Sequence, residues 1–192
     1  MLQITRKQDN RTVRACNHNL ADIPNGVTVS VADLIAGGVI PEGAFIGADS
    51  AGLYHLIKTA KIIEAAGSSA TAYKVAKGHH FKVGDFVAPD AGAQSYAITA
   101  IDNTTSAAYD VITVATTLGK ALNEGDALVQ VAAAASKDVF QYAPKAVLGD
   151  SYPVDALGNH TAVAVTIGQF KATLAPVSTA ALRAALPTVN VI

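Results

Sequence analysis

Apolar and polar residues alternate in short bursts along this chain, and turn residues separate the bursts. Val27-Thr28-Val29-Ser30-Val31 alternates strictly and predicts a strand. Ser30 and Asp33 then have the spacing of a capping box, and Gly37-Gly38 stops the run, so one or two helical turns are expected there. Val39-Ile40, the turn Pro41-Glu42-Gly43 and Ala44-Phe45-Ile46 follow. Ala48-Asp49-Ser50-Ala51-Gly52 reads as a hairpin turn returning through Leu53 to Ile57, with Lys61 to Glu64 beyond it.

Gly67-Ser68-Ser69 reads as a linker into a compact segment. Tyr73-Lys74-Val75, Phe81 to Val87, Tyr96 to Ile101, Tyr109 to Thr116 and Leu122 to Val129 are its strand signals. Two of these share one pattern: apolar, two residues, Gly-Asp, one residue, apolar. Gly84 and Gly125 supply the left-handed backbone needed before a strand, and Asp85 and Asp126 read as turn caps. Short strands at this spacing predict a small barrel of the SH3-like kind.

Beyond the alanines 132 to 135, Thr161 to Leu174 is the main strand signal. Val163, Val165 and Ile167 share one face, and Phe170, Ala172 and Leu174 share one too, with a parity shift between the sets. A bulge or bend is expected at Gly168. Ser178 is placed to cap a short helix from Thr179 to Leu186, stopped by Pro187, and Val189 to Ile192 ends the chain as a strand. The expected fold is therefore mainly β. A small SH3-like barrel over residues 67–136 is inserted in an outer β body made from 37–66 and 137–192. Two short helices and an extended N-terminal arm over 1–36 complete it.

Composition supports strands, since Val, Ile and Thr supply 49 of 192 residues. Only 15% of residues are charged, against about 25% in ordinary domains. The resulting apolar surface is the kind that assembly covers. No run approaches the ~18 apolar residues of a membrane span, and no secretion signal is read near the start. The single cysteine, Cys16, excludes an intrachain disulfide. Charge is uneven. Residues 1–20 hold Arg6, Lys7, Arg11 and Arg14 against Asp9, a surplus of three positive charges, while the remainder is mildly acidic. Four charges with no aromatic before Phe45 are too sparse for a nucleic-acid interface. A solvated terminus and an arm docking on an acidic partner both remain open.

Candidate chemistry is thin. The histidines are His18, His55, His79, His80 and His160. His79 and His80 are adjacent, so on extended backbone they point to opposite faces, and no spaced cysteine or histidine completes a metal site. No convergent polar partners are expected around any histidine. Cys16 beside Asn17 and His18 has surroundings that could lower its pKa, but an inert thiol is the preferred reading. Residues 47–52 have the spacing G-x-x-S-x-G, not that of a hydrolase elbow. No glycine loop leads into a helix to cradle phosphate. Asp85, Asp102, Asp110, Asp126, Asp150 and Asp155 are scattered singly and mostly in turns. No catalytic, metal or cofactor site is expected.

Four stretches carry a resemblance: residues 43–56, residues 72–87, Ala97 to Asp102 with Tyr109 to Leu118, and the tail from Ala143 to Pro187. Together they resemble head fiber or head-decoration proteins of tailed bacteriophages, across roughly residues 38–192. The resemblance implies a non-enzymatic virion protein on the exterior of the capsid, made in the host cytoplasm, trimeric and needing no cofactor. Its partners would be other copies of itself and the major capsid protein or other head proteins, with host surface glycans as a further partner. No catalytic residue carries over. The arm matches no family motif, so Arg6, Lys7, Arg11 and Arg14 are expected as capsid contacts from charge and position alone. The alternative is a carbohydrate-binding or host-adhesion β module, and a hydrolase is a more distant one. Exposed aromatics would favour the former, but the chain has no tryptophan.

Overall fold

A computed structural model describes residues 13–135, 139–155 and 158–192. The chain first lays down β1 (Cys16–Asp22), β2 (Val27–Val29), β3 (Val39–Ile40), β4 (Phe45–Ala48) and β5 (Tyr54–Leu56). It leaves that sheet for β6 (Thr59–Lys61), β7 (Ala72–Ala76), β8 (Phe86–Ala88), β9 (Tyr96–Asp102), β10 (Tyr109–Val114) and β11 (Ala127–Val131). It returns through β12 (Pro144–Leu148), β13 (Tyr152–Pro153), β14 (His160–Ala162), β15 (Ala164–Phe170), the helix α1 (Ala180–Ala185) and β16 (Val189–Val191).

The first and last groups build an eight-stranded body sheet in the order β1-β15-β12-β4-β5-β2-β14, with β16 parallel to β15. β3 and β13 form a separate pair. The central body strands are buried on both faces, so they carry unbroken apolar runs rather than alternation. In β12, Ala146 and Leu148 join Ile40 and Ile46 on one side, while Val147 joins Phe45, Val165 and Phe170 on the other. Leu182 and Leu186 cover this second side. The N-cap of α1 is Thr179 rather than Ser178. Its Oγ1 accepts from the Leu182 N–H at 3.3 Å, and the Asp90 carboxylate accepts from the Ala181 N–H at 3.2 and 3.3 Å.

The middle strands form a six-stranded sheet in the order β6-β11-β8-β9-β10-β7. An antiparallel bridge between Ile62 and Val75 draws its two ends together, curling it into a half-barrel. Tyr73, Val75, Phe81, Ile98, Ile112 and Leu128 fill the inside. β11 is buried along its whole length. Leu128 faces the curled interior, and Val129 and Val131 pack with Phe45 and Phe170 of the body. One strand thus closes two cores.

The fold departs from the sequence expectation in four places. There is one helix among the described residues, not two. At residues 30–35 the Ser30 Oγ accepts from the Ala32 N–H at 3.4 Å, a local turn bond that competes with helix. The region 1–36 is not an extended arm where it is described, because β1 pairs antiparallel with β15 and β2 with β14. The curled sheet has six strands and starts before Gly67, because β6 pairs with β11. Gly67-Ser68-Ser69 is a turn within it, closed by the Ala70 N–H on the Gly67 carbonyl at 3.0 Å. Around Gly168 the register does slip, in the β1–β15 pairing, between Cys16 and His18 and between Asn19 and Ala21. A Cβ on Gly168 would meet the His18 carbonyl oxygen at 2.8 Å, so glycine lets the strands close. Ile167 does not share the buried face of Val165, being 40% exposed.

Candidate functional site

The seam between body and curled sheet holds the buried polar side chains of Lys58, His80 and Gln130. Lys58 lies on the link from β5 to β6, and its carbonyl accepts from the Gln130 N–H of β11 at 2.9 Å. This pairing continues the β6–β11 ladder, so the Lys58 and Gln130 side chains stand side by side on one face. The Lys58 side chain is only 2% exposed, and its Nζ donates to Asp85 Oδ2 at 2.8 Å. A buried lysine requires such a partner. Asp85 also accepts from the Lys82 N–H at 2.8 Å, and in the matching turn Asp126 Oδ2 accepts from the Asn123 N–H at 2.7 Å. Gly84 and Gly125 have φ of 97° and 92°. The four turn residues singled out from sequence therefore form one motif twice, and the first copy is joined to a buried cation. Beside them is a cavity of about 370 Å³, reached by Lys58, Asp85, Gln130, Tyr142 and Phe86.

The histidines do gather polar partners, contrary to expectation. His55 stands between Asp49, 3.2 Å from Nε2, and Asp33, 3.4 Å from Nδ1. Its ring stacks on Tyr142 at 4.2 Å with a 7° interplanar angle. The His55 hydrogen bond holds Asp49 below the usual carboxylate range, and burial, helped by Asp33, pushes the Tyr142 phenol up. Asp49 was within reach of sequence reasoning, because a hairpin turn at 48–52 sets it beside His55 across the β4–β5 pair. Asp33 and Tyr142 come from distant segments and left no local signal.

His79 and His80 do point opposite ways. His79 Nδ1 accepts from the Phe81 N–H at 3.2 Å, and its Nε2 lies 3.2 Å from Asp110 Oδ2 inside the curled sheet. Lys77 Nζ donates to the other Asp110 oxygen at 2.5 Å. His80 reaches the body instead. Its Nδ1 accepts from the Ile35 N–H at 3.3 Å and its Nε2 donates to the Val39 carbonyl at 3.0 Å. Burial lowers the pKa of both rings, and Asp110 opposes this only in part at His79. His160 Nε2 lies 3.7 Å from Asp155.

Of the basic residues expected on the capsid, Arg6, Lys7 and Arg11 lie outside the described residues. Arg14 is hydrogen-bonded to its own body while its side chain stays 52% exposed. Its Nε donates to Glu42 Oε1 at 3.0 Å, and its Nη2 to Asp150 Oδ1 at 2.5 Å and to the Gly149 carbonyl. Glu42 is buried, and its other oxygen accepts from the Ala15 N–H at 2.9 Å. Burial and then Glu42 raise the Cys16 thiol pKa, the reverse of activation by its polar neighbours.

Among the described residues no hydroxyl or thiol is hydrogen-bonded to a histidine ring, so no nucleophile–base pair is formed. Asp33 and Asp49 bind opposite nitrogens of His55 and do not converge on a point, and no group of three or more metal-ligating side chains occurs among the described residues. No helix among them is long and apolar enough to cross a membrane. Compared with known protein families, curated proteins and solved structures, the chain matches none.

Proposed function

We propose that this chain is a non-enzymatic structural protein of a tailed-phage virion. It is a head fiber or decoration protein, made in the host cytoplasm, held on the capsid exterior and working as a homotrimer. The observation that supports this best is β1. It is the edge strand of the body sheet and pairs only with β15 among the described residues. It is seven residues long and mostly exposed, with Leu20 77% exposed. A free strand edge of this length is a template for a strand of another chain. Arg6, Lys7 and Arg11 lie just upstream, so charge and strand edge would act together on an acidic shell or neighbouring head protein. Arg14, half exposed beside Glu42 and Asp150, stays in the proposed contact alongside those three. We further read the curled sheet as a small barrel of the SH3-like kind.

The experiment has three arms. Antibody to this chain should label the heads of purified virions in negative-stain micrographs. The purified protein should sediment as a trimer. A chain lacking residues 1–12 should remain folded but fail to co-sediment with undecorated capsids, and full-length binding should weaken with salt, since exposed charges are screened over ~8 to 10 Å. Unlabelled heads would end the virion reading, and undiminished capsid binding by the truncated chain would end the anchor.

A further inference from the structure

We propose that Lys58 and Asp85 condense into an intramolecular isopeptide bond, which makes this buried pair a self-modifying site of the protein.

The setting of the amine is the first argument. Three lysines pair with carboxylates among the described residues. Lys74 and Lys77 have side chains 37% and 36% exposed beside Glu64 and Asp110, whereas the side chain of Lys58 is 2% exposed. Its Nζ lies 2.8 Å from Asp85 Oδ2, so the carboxyl carbon is one C–O bond beyond. Groups held at such a separation behave as if at very high local concentration. In bulk water the mass of solvent favours hydrolysis over condensation. Around Nζ the fold excludes solvent and holds both partners, which favours the amide.

The protons balance without an oxidant, a reductant or a cofactor. The ammonium brings three protons and the carboxylate two oxygens. One Nζ proton passes to the carboxylate, leaving an amine beside a carboxylic acid. The Nζ lone pair attacks the carboxyl carbon and forms the N–C bond. Oδ1 then leaves as water with two of the original Nζ protons, and the third stays on the amide nitrogen. Asp85 is the more open partner, at 18% exposed, and it borders the cavity of about 370 Å³ that receives the water.

Two groups are already placed to serve the product. The Lys82 N–H donates to Asp85 Oδ2 at 2.8 Å, so it polarises the acyl group during attack and then binds the isopeptide carbonyl. Gln130 Oε1 is buried with no hydrogen-bond partner, on the residue paired with Lys58 across the strands. A buried acceptor left open is costly, and the new amide N–H on Lys58 answers it. The second turn is an internal control. Asp126 accepts from the Asn123 N–H as Asp85 does from Lys82, but it pairs with no lysine among the described residues and stays a free carboxylate. This inference is independent of the virion reading, which rests on β1 and the residues before it.

The test is the mass of the full-length protein, purified folded and denatured only for measurement. It should fall about 18 Da, one water, below that of the same chain held unfolded in urea from lysis onward. The unfolded sample should lose that water on refolding. Trypsin should release residues 15–61 and 83–120 as one branched peptide joined at Lys58 and Asp85, because an acylated lysine resists cleavage. Lys58→Arg keeps the positive charge without an acylatable amine, and should show the full mass of its own sequence. Full mass in the folded, unaltered protein after prolonged incubation would overturn the proposal. The same loss carried by a linear peptide, as a cyclised aspartate gives, would overturn it too. So would a loss of about 17 Da, the ammonia released if Lys58 joined Gln130 instead. The first measurement uses the unaltered chain, so it decides the matter even if the variant does not fold.

Discussion

Replacing His80 by alanine should loosen the join between the curled sheet and the body and remove part of the protein's acid sensitivity. The ring is buried and spans the gap from the Lys77–His80 turn to the 35–39 segment, with both nitrogens bonded to backbone. Each such bond contributes about 0.5 to 1.5 kcal/mol net, so the pair accounts for about 1 to 3 kcal/mol. The bond from Ile35 needs the neutral ring, whereas the Nε2–H bond to the Val39 carbonyl persists on protonation. The Nδ1 lone pair receives the Ile35 N–H, and a proton at Nδ1 would set donor against donor. Lys58 and Lys82 add further opposition to a positive ring, with burial the main cause of its lowered pKa. His79, held by the same logic at Phe81 and beside Asp110 and Lys77, is lowered as well. In the unfolded chain a histidine titrates near ~6.5. The folded values lie below that, so on acidification the unfolded state binds protons first. Stability from these rings is complete above about pH 6.5 and falls as pH drops from there through the folded values. Urea denaturation at about pH 7.5 and about pH 5.5 measures both effects, because ordinary carboxylates titrate below this interval. His80→Ala should lose about 1 to 3 kcal/mol at the higher pH and show a shallower decline between the two. A loss under about 0.5 kcal/mol, or an unchanged decline, would refute the neutral-ring argument.

Gly38→Ala should destabilise the same join by about 1 to 3 kcal/mol in thermal melts, because the added Cβ would sit 2.7 Å from His80 Cε1 and the ring is held from both ends. A variant melting with the wild type would show that the ring can move aside. Glu42→Gln should cost about 1 to 2 kcal/mol and speed amide exchange in β1, since the Ala15 N–H and Arg14 lose a charged acceptor. Exchange in β1 at the wild-type rate would show that Glu42 does not hold the strand. Cys16 should react with iodoacetamide more slowly than an unfolded control at mildly alkaline pH, because burial and Glu42 hold its proton on. Equal rates would contradict the raised thiol pKa.

What could be read from sequence was what local backbone decides. The turns ending in Asp85 and Asp126 could be read because a glycine with positive φ and an aspartate bonding three residues back are short-range facts. The hairpin at 48–52 is similar, with Asp49 accepting from the Ala51 and Leu53 N–H groups. β1 escaped notice because an edge strand exposed on most of its positions has no apolar alternation to show. β6 escaped because Thr59-Ala60-Lys61 is too short to carry a period. The candidate site was hidden for a different reason. Lys58 and His80 look like ordinary surface residues until Asp85, Ile35 and Val39 are brought to them by pairing across the seam. The partners of Arg14 were hidden in the same way, since Glu42 and Asp150 reach it only through the fold.

The place of the curled sheet within the chain also sets an order of assembly. The body pairs β4 with β12 at Ile46 and Ala146, about 100 residues apart, and closing so long a loop is entropically unfavourable. Once the curled sheet has formed, Thr59 lies opposite Val129, and the effective loop between Ile46 and Ala146 shrinks to about 30 residues. That shortening lowers the closure cost by about 1 kcal/mol, and the pairings that produce it, β7 with β10 and β9 with β10, are closer in sequence. The curled sheet therefore acts as the chain's own staple, folding early and bringing β5 and β12 within reach. Truncations at Tyr73, Ile98 or Ile112 should chiefly slow folding, whereas truncations at Phe45, Val147 or Phe170 should chiefly hasten unfolding.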